Sequence, residues 1–145
     1  MTTSKKQPAM ERKTEENWHI VGTIPETVAK HIGMRGKTPV WANDKIIQHI
    51  DSRHHKELIQ HKTTALAFVC RVVGGFNSVY QQKDGTLVLA IENAVKSMVA
   101  YIQLEKASEN YWRIKSAHMR DSVELYSYTL LWSKVRQQKK PVKRR

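Results

Sequence analysis

The densest chemistry in the chain lies in His49-Ile50-Asp51-Ser52-Arg53-His54-His55. His49 and Arg53 stand four residues apart, which makes them neighbours on one helix face. Imidazoles exchange protons near neutral pH, and a guanidinium keeps its charge throughout. Cleavage of an RNA phosphodiester by its own 2′-hydroxyl needs such a set. A base takes the hydroxyl proton, an acid protonates the leaving oxygen, and a cation faces the charged transition state. In an arbitrary sequence a His/Arg/Lys helix is more often a solvated face. Here His54 falls on the apolar stripe of the helix, where an imidazole needs a reason.

A second polar cluster is Arg113, Lys115, Ser116, His118 and Arg120. Strand alternation puts Arg113 and Lys115 on one face with Ala117, and Ser116 with His118 on the other. The cluster is either a wet sheet face or a phosphate-positioning surface across from the helix histidines. Tyr80, Tyr101, Tyr111 and Trp112 are of the type that stacks bases, although cross-strand packing accounts for most such rings.

Other chemistries fit less well. A helical two-histidine metal site wants a second His four residues on, and His49, His54 and His55 each lack one. His19, His31 and His61 read as surface residues. Cys70, the only cysteine, sits in an apolar run and reads as a buried small hydrophobe. There is no Walker loop, GxGxxG, GxSxG or zinc-finger spacing. No cofactor and no metal are expected.

The elements that must carry these residues follow from periodicity. Pro25 opens a short helix with Ile24, Val28 and Ile32 on one side, closed by Gly33 and Gly36. Val40-Trp41 is a brief extended piece. Asn43 caps a helix over about 44–60, and a second runs over about 64–73 until Gly74-Gly75 stops it. The period then becomes alternating. Strands are expected over 77–82, 86–91, 97–106 and 111–118, with Asp84-Gly85 as a hairpin turn and 107–110 as another turn. Val123, Tyr126, Leu130 and Leu131 suggest a closing helix over 122–135. The expected fold class is α+β: N-terminal helices packed on a four-stranded antiparallel sheet, with a short C-terminal helix.

Length and charge bound the rest. The chain has 145 residues, enough for one domain. It carries 25 Lys+Arg against 13 Asp+Glu, a net charge of +12. Lys134, Arg136, Lys139, Lys140, Lys143, Arg144 and Arg145 supply +7 of this with no acid among them. This tail, 134–145, is either a solubilising end or a non-specific phosphate clamp, adding affinity and not chemistry. Residues 1–16 read as a flexible leader and 17–133 as the folded domain. No stretch is apolar enough to span a membrane or to act as a secretory signal, so the cytoplasm is the expected compartment.

From about Ile20 to Tyr128 the chain resembles the phage-associated barnase–EndoU–colicin–RelE-like nuclease domains. The likeness is carried by Val21-Gly22-x-Ile24, Val40-Trp41-Ala42-Asn43, His49-x-x-x-Arg53-His54, Asn77-Ser78-Val79-Tyr80 and Tyr111-Trp112-x-Ile114-Lys115-Ser116-Ala117. The resemblance implies helices on a four-stranded antiparallel sheet. It also implies metal-independent RNA cleavage to a 2′,3′-cyclic phosphate, used as a toxin against which an antitoxin or immunity protein would act. By position it assigns catalysis to His49, Arg53, His54, Tyr80 and Ser116, where Ser116 replaces a frequent Thr. RNA binding is expected from Arg113, Lys115, His118 and Arg120, and from Lys139, Lys140, Lys143, Arg144 and Arg145. The alternative is a non-catalytic nucleic-acid-binding accessory protein of a phage or mobile element using the same surface.

Overall fold

The computed structural model describes residues 17–34, 36–105 and 111–134. In chain order it runs β1 (Trp18–Ile24), α1 (Glu26–Ala29) with a 3-10 turn (Lys30–Ile32), β2 (Thr38–Asn43), α2 (Asp44–Arg53), α3 (His55–Gln60) and α4 (Ala65–Gly75). Then come β3 (Ser78–Gln81), β4 (Leu87–Ile91), β5 (Lys96–Glu105), β6 (Tyr111–Asp121), a 3-10 segment (Ser122–Ser127) and β7 (Thr129–Ser133). The leader, the 107–110 turn and the tail beyond Lys134, with Lys139, Lys140, Lys143, Arg144 and Arg145, lie outside the described residues.

Local chemistry sets the element ends. The Asn43 carboxamide oxygen accepts the Ile46 N–H at 2.8 Å and starts α2, and Thr64 Oγ1 accepts the Ala67 N–H at 3.1 Å and starts α4. At the β3–β4 hairpin Asp84 Oδ1 accepts the Thr86 N–H at 2.9 Å, and Gly85 takes a φ of 93°, a conformation that suits glycine.

The strands form one seven-stranded sheet in the order β1-β2-β6-β5-β4-β3-β7. All neighbours are antiparallel except β2 and β6, which run parallel over Val40–Trp112 and Trp41–Arg113. One face of the sheet packs on α4 through Phe68, Val69, Val72 and Val73, with Ile50 of α2 and Leu58 of α3 in the same core. Both edge strands come round this helix. Thr23 of β1 and Trp132 of β7 line one pocket with Val73 and Gly74 of α4, so the sheet is curled. The second face carries a smaller core of Tyr80, Val88, Ala90, Val99, Tyr101 and Leu125. The 3-10 segment supplies its Leu125.

The four-stranded antiparallel sheet with N-terminal helices is therefore corrected. The overall class is α+β, but the sheet is seven-stranded and mixed. The four strands read from alternation are present as β3 to β6, and three more were hidden. In β1 the register shifts between Ile20 and Gly22, so its two-residue period is broken. β2 contains Pro39, and only its Val40-Trp41 was read, as a brief extended piece. The closing helix is replaced by the 3-10 segment and β7. Its supposed stripe is false, since Val123 is 71% and Tyr126 54% exposed while Leu125 is buried. The run Thr129-Leu130-Leu131-Trp132 instead pairs with β3, and tertiary pairing overrides the helical spacing. The single helix over 44–60 breaks at His54, where φ is −123° and ψ 27°. Cys70 is exposed, because the inward stripe of α4 runs through its neighbours Phe68, Val69, Val72 and Val73.

The curl brings β1 close against α4. A Cβ placed on Gly22 would overlap Val73 Cγ1 and lie 3.1 Å from Val73 Cβ. Gly22→Ala should destabilise the fold by roughly 1–3 kcal/mol through overpacking, read as a lower denaturant midpoint. Pairing it with Val73→Ala should recover part of that loss.

Candidate active site

The register of β6 decides which polar groups meet. Ile102 of β5 pairs with Ile114, and Tyr101 pairs with Ser116, so Lys115 is looped out. This bulge resets the alternation. Trp112, Ile114 and Ala117 all join the helix-side core. Cross-strand partners share a face, so Ser116 with Tyr101 and His118 with Val99 lie on the second face. The expectation that Arg113 and Lys115 share a face with Ala117 is corrected by that one extra residue.

β2 contacts β6 only as far as Arg113 and then turns into α2. Beyond that point α2 and α3 run beside the uncovered edge of β6. Glu57 Oε1 accepts the Met119 N–H at 2.9 Å, closing an edge amide that β5 does not use. The kink at His54 swings its ring onto His118. The two imidazoles stack with centroids 4.8 Å apart and planes 26° apart. Tyr101 lies on His118 at 5.3 Å. His118 Nδ1 is 2.8 Å from the Met119 carbonyl oxygen, which only accepts, so Nδ1 carries the proton and donates it. In the neutral ring Nε2 then has the lone pair. An imidazole in contact with two rings, with one nitrogen bonded to a carbonyl, is held in one orientation.

Surrounding groups tune the pair. Burial, then the neighbouring His118, pull His54 below the ordinary histidine range, with Arg53 and His49 adding to the effect. Glu57, with Oε1 4.0 Å from His54 Nδ1, opposes them. Arg120 Nη1 donates to the Tyr101 hydroxyl at 2.8 Å, its Nε lies 3.0 Å from Glu124 Oε1, and its guanidinium sits 5.8 Å from the Tyr128 ring centroid. Burial pushes the Tyr101 phenol up to about 12, against the pull of Arg120. Tyr101 thus stays protonated at neutral pH.

The residues expected to act are only partly assembled. His54 meets His118, and His49 and Arg53 are exposed on α2, near enough to influence His54. Ser116 is half-buried on the same sheet face as His118. Tyr80 does not stand across a cleft from them. It is 1% exposed in the second core, and its hydroxyl donates to Glu92 Oε1 at 2.7 Å. Its place on a strand that pairs with both β4 and β7 leaves it no route to the surface. Arg113 is held by Glu105 at 2.8 Å, and Lys115 is exposed. His19, expected at the surface, is part-buried, with Nε2 2.6 Å from Asp44 Oδ1. Sequence reasoning put His118 among binding residues and passed over Glu57. The available signal was a carboxylate three residues after His54 on a helix.

Scans against family models, curated proteins and solved structures found no match to the chain. Among the described residues no group of three His, Cys, Asp or Glu side chains is arranged to hold a metal ion.

The His54 shift has a signed consequence. Its folded-state pKa lies below the ordinary value of about 6.5, so the fold favours the neutral ring. That contribution is complete above the ordinary value and is lost as pH falls below it toward the folded pKa. Stability should therefore decline in mildly acid solution. His54→Phe, which keeps a ring against His118 and cannot titrate, should flatten that part of the decline. Denaturant melts of both proteins between neutral and mildly acid pH check this.

Proposed function

We propose that the chain is a metal-independent endoribonuclease that cleaves RNA through its 2′-hydroxyl to leave a 2′,3′-cyclic phosphate. One observation carries the reading: His118 stacks on His54 and meets Tyr101, and its Nδ1 donates to the Met119 carbonyl, which leaves Nε2 for proton transfer. The neutral ring of the pair removes the 2′-hydroxyl proton. The oxygen attacks phosphorus, the bond to the 5′-oxygen breaks, and the other ring, protonated, returns a proton to the leaving oxygen. Arg53, close enough to act on His54, faces the developing charge. Two stacked imidazoles disfavour a doubly charged pair, and a pair holding one proton is the state that base and acid require.

The basic composition supports RNA as the partner, since phosphate contacts dominate affinity for nucleic acids. The resemblance to barnase–EndoU–colicin–RelE-like nucleases supports the reaction through the polar residues alone, because the architecture it implied is corrected above. An antitoxin or immunity protein would gain most by covering this same basic face, and the cytoplasm suits both the substrate and a lone cysteine. Among the described residues no helix is long and apolar enough to cross a membrane.

A second reading, a non-catalytic nucleic-acid binder, draws on the pairing of Arg113 with Glu105 and of Arg120 with Glu124. Those cations serve the fold as well as a ligand. The test is to incubate the protein with tRNA and total RNA in EDTA and to analyse the fragment ends. Cyclic phosphates are expected, and His118→Ala and His54→Ala should each slow single-turnover cleavage by roughly 10²–10⁴-fold while RNA binding persists. Intact RNA bound tightly by the wild type would leave the binding reading standing.

A further inference from the structure

Away from the histidine pair, Asn43, Lys45, Ile46 and His49 at the start of α2 meet Arg113 and Ile114 of β6 around a depression of about 260 Å³. We infer that this depression is a subsite for one unpaired nucleobase of the RNA strand. The inference rests on the function proposed above and names the part of the substrate that the pair itself does not read.

The lining matches the chemistry of a base. Ile46, half-buried against the helix-side core, gives apolar contact, and the fully buried Ile114 lies beneath it. His49 and Arg113 add two planar polar groups. Arg113 is already neutralised: Glu105 Oε2 accepts from its Nε at 2.9 Å and lies 2.8 Å from Nη2. Its net field is therefore small, and what remains is a flat guanidinium of the kind that stacks on heterocycles. A bare phosphate would prefer an uncompensated cation. Lys45, exposed at the rim, is placed for the nucleotide's own phosphate.

The spacing links the subsite to the pair. His49 precedes His54 by five helical positions, roughly 7–8 Å of rise. Arg113 precedes His118 by five residues with Lys115 looped out, so roughly 13 Å of strand. A single strand lying along α2 and β6 would place one base in the depression with the scissile phosphate a few nucleotides away. A base within a duplex has both faces stacked and its edge paired, so the substrate class is unpaired RNA. His49, read from the sequence as catalytic, becomes a wall of the subsite and a determinant of cleavage preference.

The experiment titrates the full-length protein with AMP, GMP, CMP and UMP in turn, and with ribose 5-phosphate and inorganic phosphate, while following the Ile46 and Ile114 methyl resonances by NMR. At least one nucleotide should shift both methyls saturably, and the base-free compounds should not. Arg113→Lys, which keeps the charge for Glu105 and removes the plane, should weaken that nucleotide about fivefold or more, the scale of one stacking contact. Equal shifts with ribose 5-phosphate or phosphate would make this a phosphate site and overturn the inference. So would methyls that no nucleotide moves, or unchanged affinity in Arg113→Lys. The readout is binding, so a protein that takes a base here and cuts no RNA would sink the ribonuclease and leave the subsite in place.

Discussion

Among the described residues, strand β6 beyond Arg113 has β5 on one side and no strand on the other, and the candidate site is built on the way that edge is closed. Backbone groups at a sheet edge need partners, and an uncovered edge invites another chain. β2 does not continue alongside, because Asn43 caps a helix instead. The helical pair then runs where a strand would have run, and the Glu57 carboxylate takes the Met119 N–H. A carboxylate in this role is a stronger acceptor than a carbonyl. It also brings negative charge to within 4.0 Å of His54 Nδ1. One side chain thereby closes the edge, anchors α3 and biases an imidazole.

The rest of the site follows from the position of that anchor. With α3 held at Met119, the kink before it delivers His54 to His118, whose ring also meets Tyr101. Tyr101 is fixed from behind by burial and by Arg120, which is itself held by Glu124. The chain of contacts runs from a helix, through a strand, to the 3-10 segment after β6. Each link restricts the rotamers of the next, which is the preorganisation that proton transfer at a positioned imidazole needs. The cost is that two imidazoles face each other among cations. Burial first, and then the facing ring, lower the pKa of His54.

Much of this was legible in residue types and little of it in their pairing. The Asn43 cap, the Asp84-Gly85 turn and strands β3 to β6 could be read because their signals are local: a capping side chain, a turn dipeptide, an alternating run. β1 and β7 were not, because a bulge and a misleading helical spacing removed the period on which the reading depends, and of β2 only Val40-Trp41 was read, as an extended piece following Pro39. The polar residues of the helix and of the late strand were singled out as two clusters, and one member of each, His54 and His118, meet in the structure. Which members meet was decided by one looped-out residue, Lys115, and by one kink, at His54. Neither leaves a mark on composition. Tyr80 shows the converse: an aromatic at a strand start gives no hint that a 3-10 segment further along the chain will help bury it.

The central claim is that two imidazoles, one neutral and one protonated, cut RNA without a metal. The pH dependence of single-turnover cleavage in EDTA tests it most directly. Two such groups give a bell-shaped profile, with an acid limb from the base and an alkaline limb from the acid. His118→Ala and His54→Ala should each remove one limb of the bell along with most of the rate. A wild-type rate that is independent of pH across the histidine range, or a bell that survives both substitutions, would contradict the account.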